Sequence, residues 1–326
     1  MLTLAIETSC DETSIALVKS KNALKHKILI NLVASQIKTH QPFGGVVPIL
    51  AAREHAKNLP ILLKKILKLY PNIPNTINAI AYTDHPGLEI SLILGRHAAK
   101  LLSYKWNVPA HPVNHLHGHL FASLFNCGVK NKKDIFPAIG LIVSGGHTQL
   151  YLIADFKKLK ILGETCDDAI GEAFDKVAKI MGLKYPGGPL IEKLAKNGNK
   201  EKFTFPSPMI LKDNYNFSYS GLKTAVLYTI KKLPKLTKQT RADISISFQN
   251  AAFKVVEKKT KKALKEFSAK TLIVGGGVSV NNNLRERAYK LTKELGVNLL
   301  IPQKNLCADN AAMIGIAHNV MNLKKY

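Results

Sequence analysis

The chain has 326 residues, 46% hydrophobic and 21% charged: enough to bury a substantial core in two lobes, with no apolar run near the ~18 residues a membrane span needs. Its 47 Lys+Arg against 22 Asp+Glu give a formal charge of +25, which favours a polyanionic partner, nucleic acid first, although the excess is nearly all lysine spread over helices. Cys10, Cys127, Cys166 and Cys307 stand far apart without C-x-x-C spacing, which excludes a disulfide framework and a zinc ribbon and fits buried thiols in a reducing cytosol.

In chain order, Leu2 to Ile6 reads as a buried strand, Glu7 to Thr13 as a polar turn and Ser14 to Val18 as a returning strand, a hairpin with acids and hydroxyls at its tip. Glu7, Asp11 and Glu12 also break any leader-like N-terminus, so a soluble, cytoplasmic protein is expected. Val46 to Tyr70 has helical periodicity, ended by Pro71-Asn72-Ile73-Pro74-Asn75. Ala79 to Thr83 is a strand, Leu88 to Trp106 an apolar-faced helix, and a short strand then leads into Val113-Asn114-His115-Leu116-His117-Gly118-His119. Lys130 to Lys133 is a polar linker. Beyond it the first design recurs: Ala138 to Val143 is apolar, Ser144-Gly145-Gly146-His147-Thr148 is a glycine turn, and Gln149 to Ile153 returns. The repeat implies two related α/β lobes with a cleft between their turns. Near the end, the strand Leu272 to Val274 runs into Gly275-Gly276-Gly277, and helices begin near Asn282 and at Ala311.

Four positions apart on a helix, His115 and His119 put two imidazoles on one face, a grip for a divalent metal that needs a further ligand from elsewhere; His117 points away. Ser144-Gly145-Gly146 offers backbone N–H groups to a phosphate, helped by Thr148. Asp167 to Lys176 reads as an acidic helix with Glu172 and Asp175 on one side, suited either to solvent or to ribose hydroxyls. Tyr185-Pro186-Gly187-Gly188-Pro189 is a rigid turn, and Asp309, just before the last helix, reads by default as its N-cap.

These segments together resemble one family. Ala5 to Ser14, Asn114 to His119, Leu141 to Leu150, Gly171 to Lys176, Tyr185 to Pro189, Phe217 to Thr224, Gly275 to Asn281 and Cys307 to Asn310 are similar to the ordered motifs of the bacterial-type tRNA N6-adenosine threonylcarbamoyltransferase (TsaD) family, over essentially the whole chain. The resemblance implies an α/β, actin-like, sugar-kinase-type ATPase fold with two duplicated lobes. One comprises residues 1–133 with a C-terminal helix, 305–326, packed back on it, and the other residues 134–304. It further implies transfer of threonylcarbamoyl from threonylcarbamoyl-adenylate to N6 of the adenosine 3′ of the anticodon, releasing AMP. By motif, His115, His119 and Asp309 hold one divalent metal, iron by family usage with zinc the alternative, between the lobes. Ile142, Val143, Ser144, Gly145, Gly146, Asp175, Gly188 and Asn281 contact the adenylate, and Asp11 or Glu12 is a candidate for removing the amine proton. Expected partners are tRNA, a TsaB-like paralogue and a TsaE-like P-loop ATPase.

Two departures from the family pattern are His117 and the segment Thr83 to Glu89, where His85 replaces a glycine and Glu89 an apolar residue. A metalloprotease reading fails because a zincin helix needs Glu directly after its first His, and Leu116 stands there. An actin-like carbamoyl- or phosphotransferase acting on a small molecule remains the rival. A non-enzymatic scaffold should lack the metal triad and glycine turns that this chain keeps.

Overall fold

The computed structural model describes residues 1–323, so the end of the expected 305–326 segment falls outside the described residues. The chain divides into two units, one of residues 1–132 and 300–326, the other of residues 133–299.

The first unit is a five-stranded sheet with helices on both faces. Its strands are β1 (Leu2–Glu7), β2 (Glu12–Asn22), β3 (Lys25–Ser35), β4 (Ala79–His85) and β5 (Ala110–Asn114), in the order β3-β2-β1-β4-β5. The first three form an antiparallel meander, and β4 and β5 join parallel to β1. Short α1 (Ile37–His40), α2 (Pro48–Leu69) and short α3 (Ile73–Thr76) carry the chain from β3 to β4; α4 (Glu89–Trp106) links β4 to β5, and α5 (His115–Phe121) follows directly. Strand alternation sorts the two faces by size. Leu4, Ile6, Ile15 and Leu17 pack with Leu59, Leu62 and Ile66 of α2 and Ala99 and Leu102 of α4 in one core. The opposite face carries small residues: a Cβ on Gly315 would lie 2.7 Å from Val18 and 3.3 Å from Ala5, so glycine sets how closely the helix beyond Asn310 approaches the sheet. That helix is apolar up to its buried His318 and Asn319 and, from Ala311 to Val320, wholly buried.

The second unit repeats the plan. Its strands β6 (Ala138–Val143), β7 (Thr148–Asp155) and β8 (Lys158–Glu164) form a meander, β9 (Thr271–Gly275) lies parallel to β6, and β10 (Asn298–Leu300) is next to β9. Its helices are α6 (Ile170–Ile180), α7 (Gly187–Ala195), α8 (Ser220–Lys231), α9 (Lys238–Glu266) and α10 (Asn282–Leu295), and α11 (Ala311–Asn322) is the apolar helix of the first unit. Phe174, Phe248 and Phe253, all buried, meet at centroid distances of 4.8 and 5.6 Å where α6 packs against α9.

Three sequence expectations change. Each opening unit is a three-stranded meander and not a two-stranded hairpin, because β3 and β8 follow the returning strand. The helix expected from Asp167 begins at Ile170, since Asp167 lies outside it and accepts from the main-chain N–H of Tyr219 and the hydroxyl of Ser218, fastening the loop before α8. Asp309 is not the cap of α11: Asn310 is, accepting from Met313 N at 3.2 Å.

Candidate metal centre

The centre lies at the C-terminal ends of the parallel strands of the first unit, where open α/β sheets place ligands. Asn114 ends β5 and caps α5 with its side chain, accepting from Leu116 N at 2.8 Å and His117 N at 3.1 Å. The cap starts the helix at His115, and one turn later His119 falls on the same side. The two rings meet edge to face, 4.7 Å between centroids. Asp309 comes from the other end of the chain, held just outside α11 by the Asn310 cap; its Oδ1 lies 3.1 Å from His119 Nε2 and 3.6 Å from His115 Nε2. Potential donor atoms of the three residues all fall within 4.8 Å of one another.

The residues fit a metal on grounds independent of the motif. His119 is fully buried, yet neither ring nitrogen makes a well-formed hydrogen bond among the described residues. Its Nε2 instead faces the Asp309 carboxylate at 3.1 Å, and a cation between them would satisfy both groups. Two neutral imidazoles and one carboxylate make a donor set suited to iron(II) or zinc.

Beneath His115 sits a residue that the spacing of the histidines did not reveal. Glu7, the last residue of β1, is fully buried; its Oε2 lies 3.1 Å from His115 Nδ1 and accepts from Thr83 Oγ1 at 2.5 Å, while Oε1 accepts from Ser9 N at 2.5 Å. A carboxylate only accepts, so Nδ1 carries a proton; Nε2, protonated as well while no cation is bound, faces Asp309 and is the nitrogen left to ligate a metal. Burial works against its charge, but His115 outweighs burial and holds the Glu7 carboxyl below the usual range. Burial likewise disfavours a charged His115, and Asp309 and Glu7 together override it, raising its pKa to about 9. Nearby, burial and the carboxylates of Asp309 and Asp11 push Glu12 up to about 10, so in the metal-free chain it keeps its proton at neutral pH. Asp11 is buried in the turn between β1 and β2.

The other candidate residues lie in the second unit, at the end of β6 and in the turn after it, on α6 and α7 and at the start of α10. Ile142 and Val143 close β6 and are fully buried, which leaves only their main chain for any ligand. Ser144 turns the chain, its N–H donating to His147 O at 2.8 Å, and Gly145 and Gly146 at the tip have open space where a side chain would project. Gly171 N donates to Ser144 O, bringing the start of α6 against this turn. Asp175 Oδ1 accepts from Gly187 N at 2.7 Å and Gly188 N at 3.3 Å, so it shapes the turn before α7. Ile142 pairs with Gly275, which sets the next glycine turn beside the first; Gly276 has φ +95° and would press a Cβ within 2.4 Å of Val143 O. Asn281 caps α10 and donates to Gln249 Oε1 at 2.9 Å. His85 and Glu89 are outside both groups: His85 is exposed beside Asp84, and Glu89 opens α4, where a carboxylate favours the helix dipole.

A sequence model described as tRNA N6-adenosine threonylcarbamoyltransferase (TsaD) matches residues 27–316. A protein of that name from Thermosipho africanus (strain TCF52B) is 47% identical over 97% of this chain and 93% of its own length. Another from Mycoplasma capricolum subsp. capricolum is 44% identical over 99% of both. Among solved structures, full-length HypF in its phosphate- and nucleotide-bound form superposes on 98% of the chain with a TM-score of 0.64 at 14% identity, the chain spanning 46% of that protein. This likeness, with the duplicated meander-and-crossover sheets, makes the fold actin-like and ATPase-type. The chain belongs to the tRNA N6-adenosine threonylcarbamoyltransferase family.

Proposed function

We propose that the chain forms N6-threonylcarbamoyladenosine in tRNA, taking the acyl group from threonylcarbamoyl-adenylate and delivering it to the adenosine 3′ of the anticodon. Full-length similarity to enzymes of that name carries this reading. In the reaction the N6 amine attacks the carbamoyl carbonyl carbon, the bond from that carbon to the phosphate oxygen breaks, AMP leaves and the amine gives up a proton.

The adenylate is already activated, so the protein's task is to orient a weakly nucleophilic aromatic amine and to stabilise charge moving onto the phosphate. His115, His119 and Asp309 are the residues that would hold the metal, iron(II) or zinc. Such a cation supplies Lewis acidity and a template while retaining net positive charge. Glu7 keeps His115 in the ligating tautomer. Main-chain N–H groups of the Ser144-Gly145-Gly146 turn suit the phosphate, Asp175 with Gly188 the ribose, and Asn281 with its glycines the far end of the nucleotide. Asp11 is the candidate for accepting the amine proton, and Glu12 is one only once a bound cation has drawn off its own proton; undiminished turnover in an Asp11→Ala, Glu12→Ala variant removes that role.

A TsaB-like paralogue and a TsaE-like P-loop ATPase complete the proposed system, which works in the cytoplasm with its tRNA. No helix among the described residues is long and apolar enough to cross a membrane. The test is to incubate the metallated chain with unmodified tRNA, threonylcarbamoyl-adenylate and both partners, and to look for the modified nucleoside by mass spectrometry. Its absence with folded, metal-loaded protein overturns the proposal.

A further inference from the structure

Away from the glycine turns of the second unit, a groove of about 630 Å³ runs between α9 and the segment that follows α7. Its floor is apolar, with Phe203 and Phe205 stacked at 6.2 Å and 12° between planes, and Ser207 ties the segment to the helix by donating to Ala251 O at 3.0 Å. Its walls are basic. Lys254, Lys258 and Lys261 project from α9 at i, i+4 and i+7 and therefore share one face, and Lys200 lines the groove with them.

The charges within this stripe are unevenly compensated. Arg287 is bound to Glu257 at 2.7 Å and to Asn250 at 2.8 Å, and Lys261 to Glu294 at 2.5 Å. Lys254 and Lys258 are exposed and have no carboxylate within 4.0 Å among the described residues. Like charges one helical turn apart repel, so the pair costs stability unless an anion lies between them. A groove with half-buried Phe203 backed by buried Phe205, and uncompensated lysines along its rim, matches a nucleic-acid strand, in which phosphates and bases alternate. An acidic protein surface would satisfy the lysines but has no use for the stacked rings.

We infer that this groove is a second contact for the tRNA substrate, separate from the turns that receive the adenylate: backbone phosphates lie on Lys254, Lys258 and Lys200, and an unpaired base rests against Phe203. The inference depends on tRNA being the substrate, and the experiment keeps the two apart.

Affinity for unmodified tRNA is measured by anisotropy at several salt concentrations for the full chain and for three double variants. Lys254→Gln with Lys258→Gln is expected to bind roughly tenfold more weakly and to lower the slope of log affinity against log salt by ~1.4 to 1.8, the share of two phosphates. Lys254→Arg with Lys258→Arg restores both. Lys157→Gln with Lys160→Gln, an equal loss of charge on exposed residues around β8, leaves the slope closer to that of the unaltered chain. Equal effects from the groove and control pairs mean diffuse attraction and overturn the inference, as does unchanged tRNA binding with loss of a protein partner. Each of those results leaves nucleoside formation by the unaltered chain in place, whereas failure to bind or modify tRNA at all sinks the proposed function itself.

Discussion

His119 carries the strongest local argument for a metal: a fully buried imidazole whose ring nitrogens make no well-formed hydrogen bond, with Nε2 turned to the Asp309 carboxylate at 3.1 Å, is placed to share a cation with it. His119→Ala is expected to remove metal binding and to lower transfer below detection while far-UV circular dichroism stays native. Metal analysis of the purified variant together with turnover checks this, and retained stoichiometric metal would refute it. Glu7→Gln is subtler: the amide keeps the volume but loses the charge that fixes the His115 tautomer, so metal affinity should fall by about 10 to 100-fold, the usual effect of losing such an outer partner. A competitive chelator titration reads it directly. At this scale the histidine pair was legible from its spacing and Glu7 was not, since a carboxylate at the end of a buried strand joins His115 only once β1 and β5 lie in the same sheet with β4 between them. Asp309 and Asn310 show the opposite difficulty. Both are good caps, and only the backbone decides: Asn310, at φ −160° and ψ 153°, meets the Met313 N–H, leaving the preceding carboxylate facing the histidines.

Among the elements, strong periodicity was readable and the outer meander strands β3 and β8 were not. Leu88 to Trp106 reads as a helix in sequence, and α4 occupies Glu89–Trp106. β3 carries little strand signal in the sequence because its Ile28-Leu29-Ile30 run breaks the alternation, and most of the strand is only partly buried at the sheet edge. β8 sits at the corresponding edge of the other sheet, with a register shift between Leu150 and Tyr151 of its partner β7. The elements that bear the site depend on small local devices. Asn114→Ala removes the acceptor for two N–H groups at the start of α5 and should cost about 0.5–2 kcal/mol in urea unfolding, with metal affinity falling too because His115 is the first residue of that helix. In the second unit, Gly276→Ala sets a side chain against the Val143 carbonyl at a backbone angle only glycine tolerates readily, and about 1–3 kcal/mol of destabilisation is expected. If Gly276→Ala unfolds like the unaltered chain, the close approach of that turn to β6 is not a constraint.

For the whole molecule, the repeat of strand, turn and strand in sequence corresponds to two sheets with the same strand order, and the resemblance of motifs extended to relatives aligned over nearly the full length. Composition alone said less: a charge of +25 names a class of partner, but lysines dispersed over many helices do not mark a surface. Salt dependence separates a tRNA substrate from the rival small-molecule transferase. Each phosphate neutralised contributes about 0.7 to 0.9 to the slope of log affinity against log salt, so a substrate spread over several basic sites should give a slope well beyond the ~1.4 to 1.8 of the Lys254 and Lys258 pair. A small substrate displaces few counterions, and its binding should change little over the same range. Measured with tRNA varied from below to above KM and with metal and adenylate held constant, threonylcarbamoyl transfer should therefore weaken steeply through KM as salt rises, with kcat nearly constant. A flat KM would favour the small-molecule alternative, and a fall in kcat alone would point to salt acting on the metal centre or on partner association in place of RNA capture.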